Sequence, residues 1–240
     1  MKKFALITGA SGGIGSATAI AMAKDGWNLY LHYNKNKAAM DRLIRKLENY
    51  KIEMIPIQAD LSTDEGISKL LNNIFHIDAI CYVSGISHYG LFVDTNEQVF
   101  ESMWKVHVYA PMVIIKSLLP KLMKNTRSHI VLVSSIWGQT GASCEVVYST
   151  AKGAQISFVK ALSKEVARNG VRINAVAPGA VKTQMLDMFT AEDLQMLEEE
   201  IPMGRLARPD EIAETILFLL SEKASYISGQ VLAVNGGWYT

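Results

Sequence analysis

The chain has 240 residues, of which 49% are hydrophobic, and this is enough to bury a sizeable core, so we predict a globular protein. Its 24 basic and 23 acidic residues nearly balance, and no basic run is long enough to follow a phosphate backbone, which argues against nucleic acid as a partner. The apolar run at residues 4–7 is too short for a signal peptide or a membrane span, so we expect a cytoplasmic protein outside the membrane. Cys81 and Cys144 have neither disulfide nor metal-ligand spacing, so we expect free thiols and no metal site.

The first elements are a strand, a glycine-rich turn and a helix. Residues 3–8 form a short apolar run, Gly9, Gly13 and Gly15 follow, and residues 16–24 favour a helix. Glycines let the backbone turn sharply and approach a pyrophosphate, whose charge is stabilised by the N–H groups at the start of the helix. The spacing differs from the common G-x-G-x-x-G, and a tight turn without a ligand is the alternative. Its position in the first βαβ unit favours phosphate binding.

Strand and helix patterns then alternate to the end of the chain. Further strands are predicted at residues 28–33, 53–58, 78–83, 128–134, 172–177 and 230–234. Helices are predicted at residues 37–49, from the capping sequence 62–65, from 95–98 to about 124, at 147–168 and from 209 onward. This alternation predicts a single Rossmann-type α/β domain over residues 1–240, with a doubly wound, seven-stranded parallel sheet between two helical layers.

Residues able to bind a ligand follow most of the predicted strands. In a parallel sheet of this kind the ligand lies outside the carboxyl ends of the strands. The segments at these ends are the glycine turn, Asn34-Lys35, Asp60, Ser84-Gly85, Ser135 and Pro178-Gly179. Their convergence on one edge of the sheet predicts a functional site there.

Tyr148 and Lys152 stand four residues apart in the predicted helix at 147–168. Both side chains leave the same face of that helix, about one turn apart. A nearby ammonium favours the phenolate and lowers the pKa of a tyrosine, which makes the phenol a usable acid and base. The alternative is a core edge beside a solvated lysine tip.

Several motifs together identify a family. Their combination resembles the short-chain dehydrogenase/reductase family over the whole chain, and it comprises Thr8-Gly9-x3-Gly13-x-Gly15, Asp60, Ser135, Tyr148-x3-Lys152, Pro178-Gly179-x-Val181-x-Thr183 and Val234-Asn235-Gly236-Gly237. The run from Pro202-Met203-Gly204-Arg205 to Asn235-Gly236-Gly237-Trp238 is most similar to bacterial 3-oxoacyl-[acyl-carrier-protein] reductases, although related sugar and alcohol dehydrogenases share much of it.

The resemblance implies a role for each motif. Hydride would pass between a nicotinamide and a substrate carbonyl carbon, while Tyr148 exchanges the proton on oxygen, Ser135 hydrogen-bonds that oxygen, and Lys152 binds the ribose. Asp60 would accept from the adenine amino group, with a turn or cap beside Ser62 as its alternative role. The cofactor-binding residues implied are Gly9, Ser11, Gly13, Ile14, Gly15, Tyr33, Asn34, Lys35, Asp60, Leu61, Ser84, Gly85, Tyr148, Lys152, Pro178, Gly179, Val181 and Thr183.

The end of the second strand indicates the cofactor. Family members that prefer NAD usually place a carboxylate there for the ribose 2′-hydroxyl, but the run from His32 to Lys35 has none. Lys35 and Lys37 are both close, so we predict NADP(H). The alternative is that both lysines belong to a solvated helix start.

Two positions depart from the family pattern. Tyr82-Val83-Ser84-Gly85 stands where the family usually has Asn-Asn-Ala-Gly, and His107 stands where its fourth catalytic residue is an asparagine. Because Pro111 has no N–H, it cannot bond to the His107 carbonyl, so we predict that this carbonyl is free to hold a proton-relay water near Lys152. The alternative is a helix kink with a buried histidine that has no catalytic part.

The substrate region is predicted at about residues 184–208. An apolar, methionine-rich set suits a lid over an extended apolar substrate, with ordinary helix core as the alternative: Met185, Leu186, Met188, Phe189, Leu194, Met196 and Leu197. Candidate wall residues are Ser87, His88, Tyr89 and Trp137. The resemblance implies a homotetramer that reduces a small-molecule or acyl-carrier-protein-linked carbonyl. Reduction of another alcohol, sugar or ketone and a silent dinucleotide sensor are the alternatives.

Overall fold

The computed structural model describes residues 3–187 and 189–240, and it contains one sheet of seven parallel strands. The strands lie in the order β3-β2-β1-β4-β5-β6-β7, and each pairs in parallel with its neighbours. Their bounds are β1 Phe4–Thr8, β2 Asn28–Tyr33, β3 Met54–Gln58, β4 Ala79–Tyr82, β5 Ser128–Val133, β6 Val171–Pro178 and β7 Val231–Val234. This sheet confirms the predicted fold class. Met188, predicted as part of the lid, lies outside the described residues.

Helices cover both faces of the sheet. Their bounds are α1 Gly13–Lys24, α2 Lys37–Leu47, α3 Asp64–Asn72, α4 Glu97–Trp104, α5 Ala110–Leu122, α6 Trp137–Thr140, α7 Val146–Val166, α8 Ala191–Glu200 and α9 Pro209–Leu220. The buried side chains of α1, α2 and α9 pack in one core cluster, and those of α3, α5 and α7 pack in a second cluster on the opposite face. The central strands are buried on both sides and therefore read as continuous apolar runs.

The strand order reverses between β1 and β4, which both lie at the centre of the sheet. At such a reversal the connections leave in opposite directions, and a crevice opens outside the carboxyl ends of the two strands. The Thr8 hydroxyl braces this crevice, because its oxygen accepts from the backbone N–H groups of Val83 and Ser84 at 3.0 and 3.1 Å. These bonds anchor the segment in which the family asparagines are missing.

The turn between β1 and α1 uses glycine where backbone segments approach most closely. Gly9 has φ +67°, and a Cβ on Gly15 would lie only 2.2 Å from the Gly9 carbonyl oxygen. Helix α1 begins at Gly13, inside this turn, rather than at Ser16 as predicted. The N–H groups of its first turn therefore border the crevice.

The predicted helix from residues 95–98 to about 124 is interrupted. A π-helical turn at Lys105–Tyr109, which we call the π-turn, separates α4 from α5. Pro111 lacks an N–H and cannot continue the α-helical bonding across this point, which accounts for the local change of pitch. The start of α3 also differs from the predicted capping box, because Thr63 is its N-cap and Ser62 bonds to Asp60 instead.

None of the helices formed within residues 3–187 and 189–240 combines the length and the apolar character that a membrane span needs.

Candidate active site

A cavity of about 1070 Å³ lies at the carboxyl ends of the strands, where the sequence places the site. Its lining includes all of the predicted catalytic residues and all of the predicted cofactor residues except Tyr33. The predicted residues that line it are Gly9, Ser11, Gly13, Ile14, Gly15, Asn34, Lys35, Asp60, Leu61, Ser84, Gly85, His107, Ser135, Tyr148, Lys152, Pro178, Gly179, Val181 and Thr183. Residues far apart in the sequence thus meet in one cleft.

Two residues at the end of β2 depart from the prediction. The Tyr33 side chain packs against the core beneath α1 and α2, so it lies outside the cavity lining. Lys37 forms an ion pair with Asp41 at 2.7 Å on the exposed start of α2. Of the two lysines after β2, Lys35 lines the cavity and Lys37 does not, and a contact of Lys35 with a cofactor phosphate stays a prediction.

His32 braces the glycine turn, a role that the sequence analysis missed. Its Nδ1 accepts from the Gly9 N–H at 3.1 Å, and its Nε2 lies 3.1 Å from the Ala59 carbonyl oxygen. Burial lowers the pKa of His32 to about 4, so the ring is neutral at physiological pH and can accept at one nitrogen while donating at the other. The ring therefore links the turn after β1 to the end of β3.

Asp60 adopts its alternative turn role and also lines the cavity. Its Oδ1 accepts from the Ser62 hydroxyl at 2.7 Å and from the Ser62 N–H at 2.9 Å. The Ser62 hydroxyl contributes most to lowering the pKa of this carboxyl below its usual value. The carboxylate is thus ionised and fixed at the cavity rim, and its contact with adenine stays a prediction.

Ser135, Tyr148 and Lys152 all line the cavity, and all three are buried. Ser135 follows β5, while Tyr148 and Lys152 lie one turn apart on α7. The Lys152 ammonium stands 5.5 Å from the centre of the Tyr148 ring and donates to the Val133 carbonyl oxygen at 2.7 Å. A serine hydroxyl, a phenol and an ammonium can together hold and protonate a substrate oxygen.

The pKa of Tyr148 differs from the prediction. Burial raises it above the usual value for a phenol, the charge of Glu145 raises it further, and hydrogen bonding to Ser135 offsets part of the shift. Burial also lowers the pKa of Lys152 to about 7. The prediction that Lys152 lowers the pKa of this phenol is therefore wrong for this structure, in which the pKa is raised and Ser135 is the group that lowers it.

His107 lies in the π-turn, fully buried, with its ring edge-on to the Tyr148 ring at 5.6 Å. Its Nε2 is 2.8 Å from the Ile86 carbonyl oxygen. A Cβ on Gly85 would lie 2.8 Å from the His107 ring, so only glycine fits opposite it. The ring thereby fixes the segment after β4.

The sequence predicts that the His107 carbonyl is free, and this prediction is wrong, because the Gln155 side chain donates to it at 2.8 Å. Gln155 was missed because its partner lies 48 residues away along the chain. The sequence signal is its place three residues after Lys152, on the same face of α7.

The outer end of the cavity is largely aromatic and apolar. Trp137 and Trp238 form an edge-to-face pair with ring centres 5.0 Å apart, and Tyr89 and Phe189 form another at 6.1 Å. Leu194 of the predicted lid does not line the cavity. The predicted wall and lid residues that do line it are Ser87, His88, Tyr89, Trp137, Met185, Leu186, Phe189, Met196 and Leu197.

Glu145 lines the cavity at the start of α7, and its charge disfavours the Tyr148 phenolate. We predict that Glu145→Gln lowers the pKa of Tyr148. The pH at which the rate of alcohol oxidation rises should then be about 0.5 to 1 unit lower than in the wild type. The exposed Glu165 on the same helix offers Glu165→Gln as the matched control. The pH dependence of kcat for both variants checks this, and coincident profiles would contradict it.

Sequence comparisons place these features among known proteins. A family model described as "Enoyl-(Acyl carrier protein) reductase" matches residues 9–239. The chain is 53% identical over 241 residues to "Uncharacterized oxidoreductase YmfI" of Bacillus subtilis (strain 168), and the match covers 100% of both. It is 34% identical to "3-oxoacyl-[acyl-carrier-protein] reductase FabG" of Aquifex aeolicus, over 99% of this chain and 97% of that protein.

Solved structures share the fold. The angucycline C-6 ketoreductase LanV, determined with bound NADP, has a TM-score of 0.93 at 24% identity, covering 98% of this chain and 95% of its own. The acetoin dehydrogenase YohF from Salmonella typhimurium has a TM-score of 0.89 at 25% identity, covering 99% of this chain and 97% of its own.

Proposed function

Because the chain belongs to the short-chain dehydrogenase/reductase family of oxidoreductases, we propose that it is an NADP(H)-dependent reductase that converts a carbonyl to a secondary alcohol. The observation that carries the proposal is the meeting of Ser135, Tyr148 and Lys152 in the same cavity as the glycine turn. A dinucleotide held at that turn and a carbonyl held at Ser135 would share one cleft.

The residues at the crevice fit a dinucleotide. The glycine turn presents bare backbone at the start of α1, and a Cβ on Gly13 would lie 2.6 Å from Thr183 Cγ2, so the turn is closely packed against the segment after β6. Lys35 at the rim supplies a cation for the 2′-phosphate that distinguishes NADPH from NADH, and no carboxylate follows β2 directly. When bound, NADPH supplies the hydride.

The chain's own residues would manage the proton at the substrate oxygen. Ser135 and Tyr148 would hold the carbonyl oxygen, and Tyr148 would donate its proton as charge develops there. The raised pKa of Tyr148 keeps the phenol protonated at neutral pH, which is the form that reduction needs. The Lys152 ammonium would stabilise the phenolate that remains.

The substrate that we propose is a 3-oxoacyl thioester carried on acyl carrier protein, as used in fatty-acid synthesis. The aromatic and methionine-rich outer cavity supports it, with residues 184–208 as the lid over an extended apolar chain. The sequence relation to a 3-oxoacyl-[acyl-carrier-protein] reductase adds support. The second candidate is reduction of another ketone or sugar, favoured by the likeness to an acetoin dehydrogenase.

Initial rates of NADPH oxidation over a substrate panel test this proposal. The panel holds acetoacetyl thioesters on N-acetylcysteamine and on acyl carrier protein, acetoin, simple ketones and sugars. We expect the highest kcat/KM for the carrier-linked thioester. A higher value for acetoin or a sugar would move the assignment to the second candidate, and tight NADPH binding without turnover of any compound would favour a silent dinucleotide sensor.

By analogy with the family, the proposal includes a single domain over residues 1–240, a cytoplasmic location and a homotetramer. The mass of the purified protein in solution, measured by sedimentation, tests the oligomeric state.

A further inference from the structure

A buried glutamine on α7 holds the backbone of the π-turn. Nε2 of Gln155 donates to the His107 carbonyl oxygen at 2.8 Å, and the two residues are only 2% and 0% exposed. Pro111 supplies no N–H to this carbonyl, so the glutamine satisfies an acceptor that the helix leaves over. The amide therefore occupies the position at which the sequence predicts a water.

Two buried side-chain atoms next to this bond lack a partner within the described residues, Oε1 of Gln155 and Nδ1 of His107. Nε2 of His107 contacts both the carbonyl oxygen of Ile86 at 2.8 Å and its backbone N–H at 3.1 Å, so these contacts do not assign the single ring proton to one nitrogen. Oε1 of Gln155 is an acceptor, and Nδ1 of His107 is a donor or an acceptor depending on that proton. Buried polar atoms are rarely left unpaired, so two of them at one site indicate a bound polar molecule.

Lys152 offers hydrogen-bond donors on the same side of α7. It lies three residues before Gln155, its side chain is buried, and only one of its three ammonium hydrogens is accounted for by the Val133 carbonyl. Its charge also acts on the His107 ring, whose pKa it helps to lower. The lysine and the two unpaired atoms thus belong to one polar pocket inside the protein.

We propose that Gln155 is a positioning residue that holds a buried water between its Oε1 and Nδ1 of His107, where the water oxygen accepts a hydrogen bond from the Lys152 ammonium. A water has two hydrogens and two lone pairs, so it can donate to Oε1, pair with Nδ1 in either tautomer and accept from the ammonium. This bond stabilises the charged form of Lys152. An ammonium next to Tyr148 in turn favours the phenolate.

The titratable groups that face this pair within the described chain come from two elements. From the π-turn, His107 is neutral because burial lowers its pKa to about 3. From the start of α7, Glu145 raises the pKa of Tyr148. The other groups that face the pair are uncharged: the Val133 carbonyl, the Ser135 hydroxyl and, from α6, the backbone of Gly138.

The pH profile of alcohol oxidation with NADP⁺ and a 3-hydroxybutyryl thioester tests the inference, which rests on the proposed function. Gln155→Met keeps the length of the side chain and removes its polar atoms, so the water is lost and the Lys152 ammonium is less stable. We expect the pH at which the rate rises to increase by about one unit. Ser163→Ala is the matched control, since Ser163 is a buried polar residue further along α7 whose hydroxyl donates to the Lys160 carbonyl.

A uniform loss of rate with no shift of the profile would assign Gln155 a packing role only and overturn the inference. If Gln155→Met does not fold, a crystal structure of the wild type that resolves waters decides the question. Density for a water within hydrogen-bonding distance of Oε1 and Nδ1 supports the inference, and a dry contact there refutes it. Failure of the wild type to turn over any substrate would count against the proposed function instead, and the same crystal structure would still decide the water site.

Discussion

Tyr148→Phe is expected to lower kcat for carbonyl reduction by about 10³-fold, because it removes the only proton donor that we assign to the substrate oxygen. The substitution deletes one oxygen and keeps the ring that packs edge-on against His107. Folding and NADPH binding should therefore change little. Steady-state reduction of an acetoacetyl thioester, together with the dissociation constant for NADPH from fluorescence, measures both quantities.

The matched control for this prediction is Tyr226→Phe, which deletes the same oxygen from a fully exposed ring that is not part of the cavity lining. A loss of less than tenfold for Tyr148→Phe would contradict the assignment of Tyr148 as the acid. Such a result would direct attention to Ser135 as the proton donor.

Lys35→Glu is expected to lower kcat/KM for NADPH by about 100-fold while leaving NADH within a few-fold, because a carboxylate at this rim repels the 2′-phosphate and suits a 2′-hydroxyl. Lys35 lines the cavity at the end of β2, next to Asn34. The ratio of kcat/KM for the two cofactors, measured with one carbonyl substrate, gives the change in preference directly.

Lys37→Glu makes the same change in charge two residues further on, where the side chain pairs with Asp41 away from the cavity. We expect this control to change the cofactor ratio far less. Equal effects of the two substitutions would show that the charge acts at long range and would remove Lys35 from the cofactor site. A wild type that prefers NADH tenfold or more would refute the NADP(H) proposal itself.

Local sequence patterns predicted most of the fold. The β2 strand has the bounds that were predicted, because an apolar run lies between Gly26 and Asn34, and both ends carry residues that disfavour strands. The helix of Tyr148 and Lys152 also occurs where predicted, and their spacing correctly places both side chains on one face of it, which in the structure lines the cavity. The glycine turn was predicted correctly, but the start of α1 inside this turn was not. The position of that start depends on the close approach of Gly15 to Gly9.

Features that depend on contacts between distant segments were beyond the sequence. Pro111 predicted a disturbed helix, but not that Gln155 would take the carbonyl that this proline leaves unpaired. His32 was considered only as a position without a carboxylate, whereas its ring joins the ends of three segments around the glycine turn. The pKa of Tyr148 was misjudged for a related reason, because its burial and the nearby Glu145 are properties of the folded site.

The most direct test of the central claim follows the atom that is transferred. Wild-type protein is incubated with NADPH deuterated at the nicotinamide C4 and with an acetoacetyl thioester, and the product is analysed by mass spectrometry. If the protein is an NADPH-dependent carbonyl reductase, each 3-hydroxyacyl product will contain one deuterium on its alcohol carbon, and formation of this product will be lost in Tyr148→Phe. Tight binding of NADPH with no deuterium transferred to this thioester or to any other carbonyl in the panel would contradict the account.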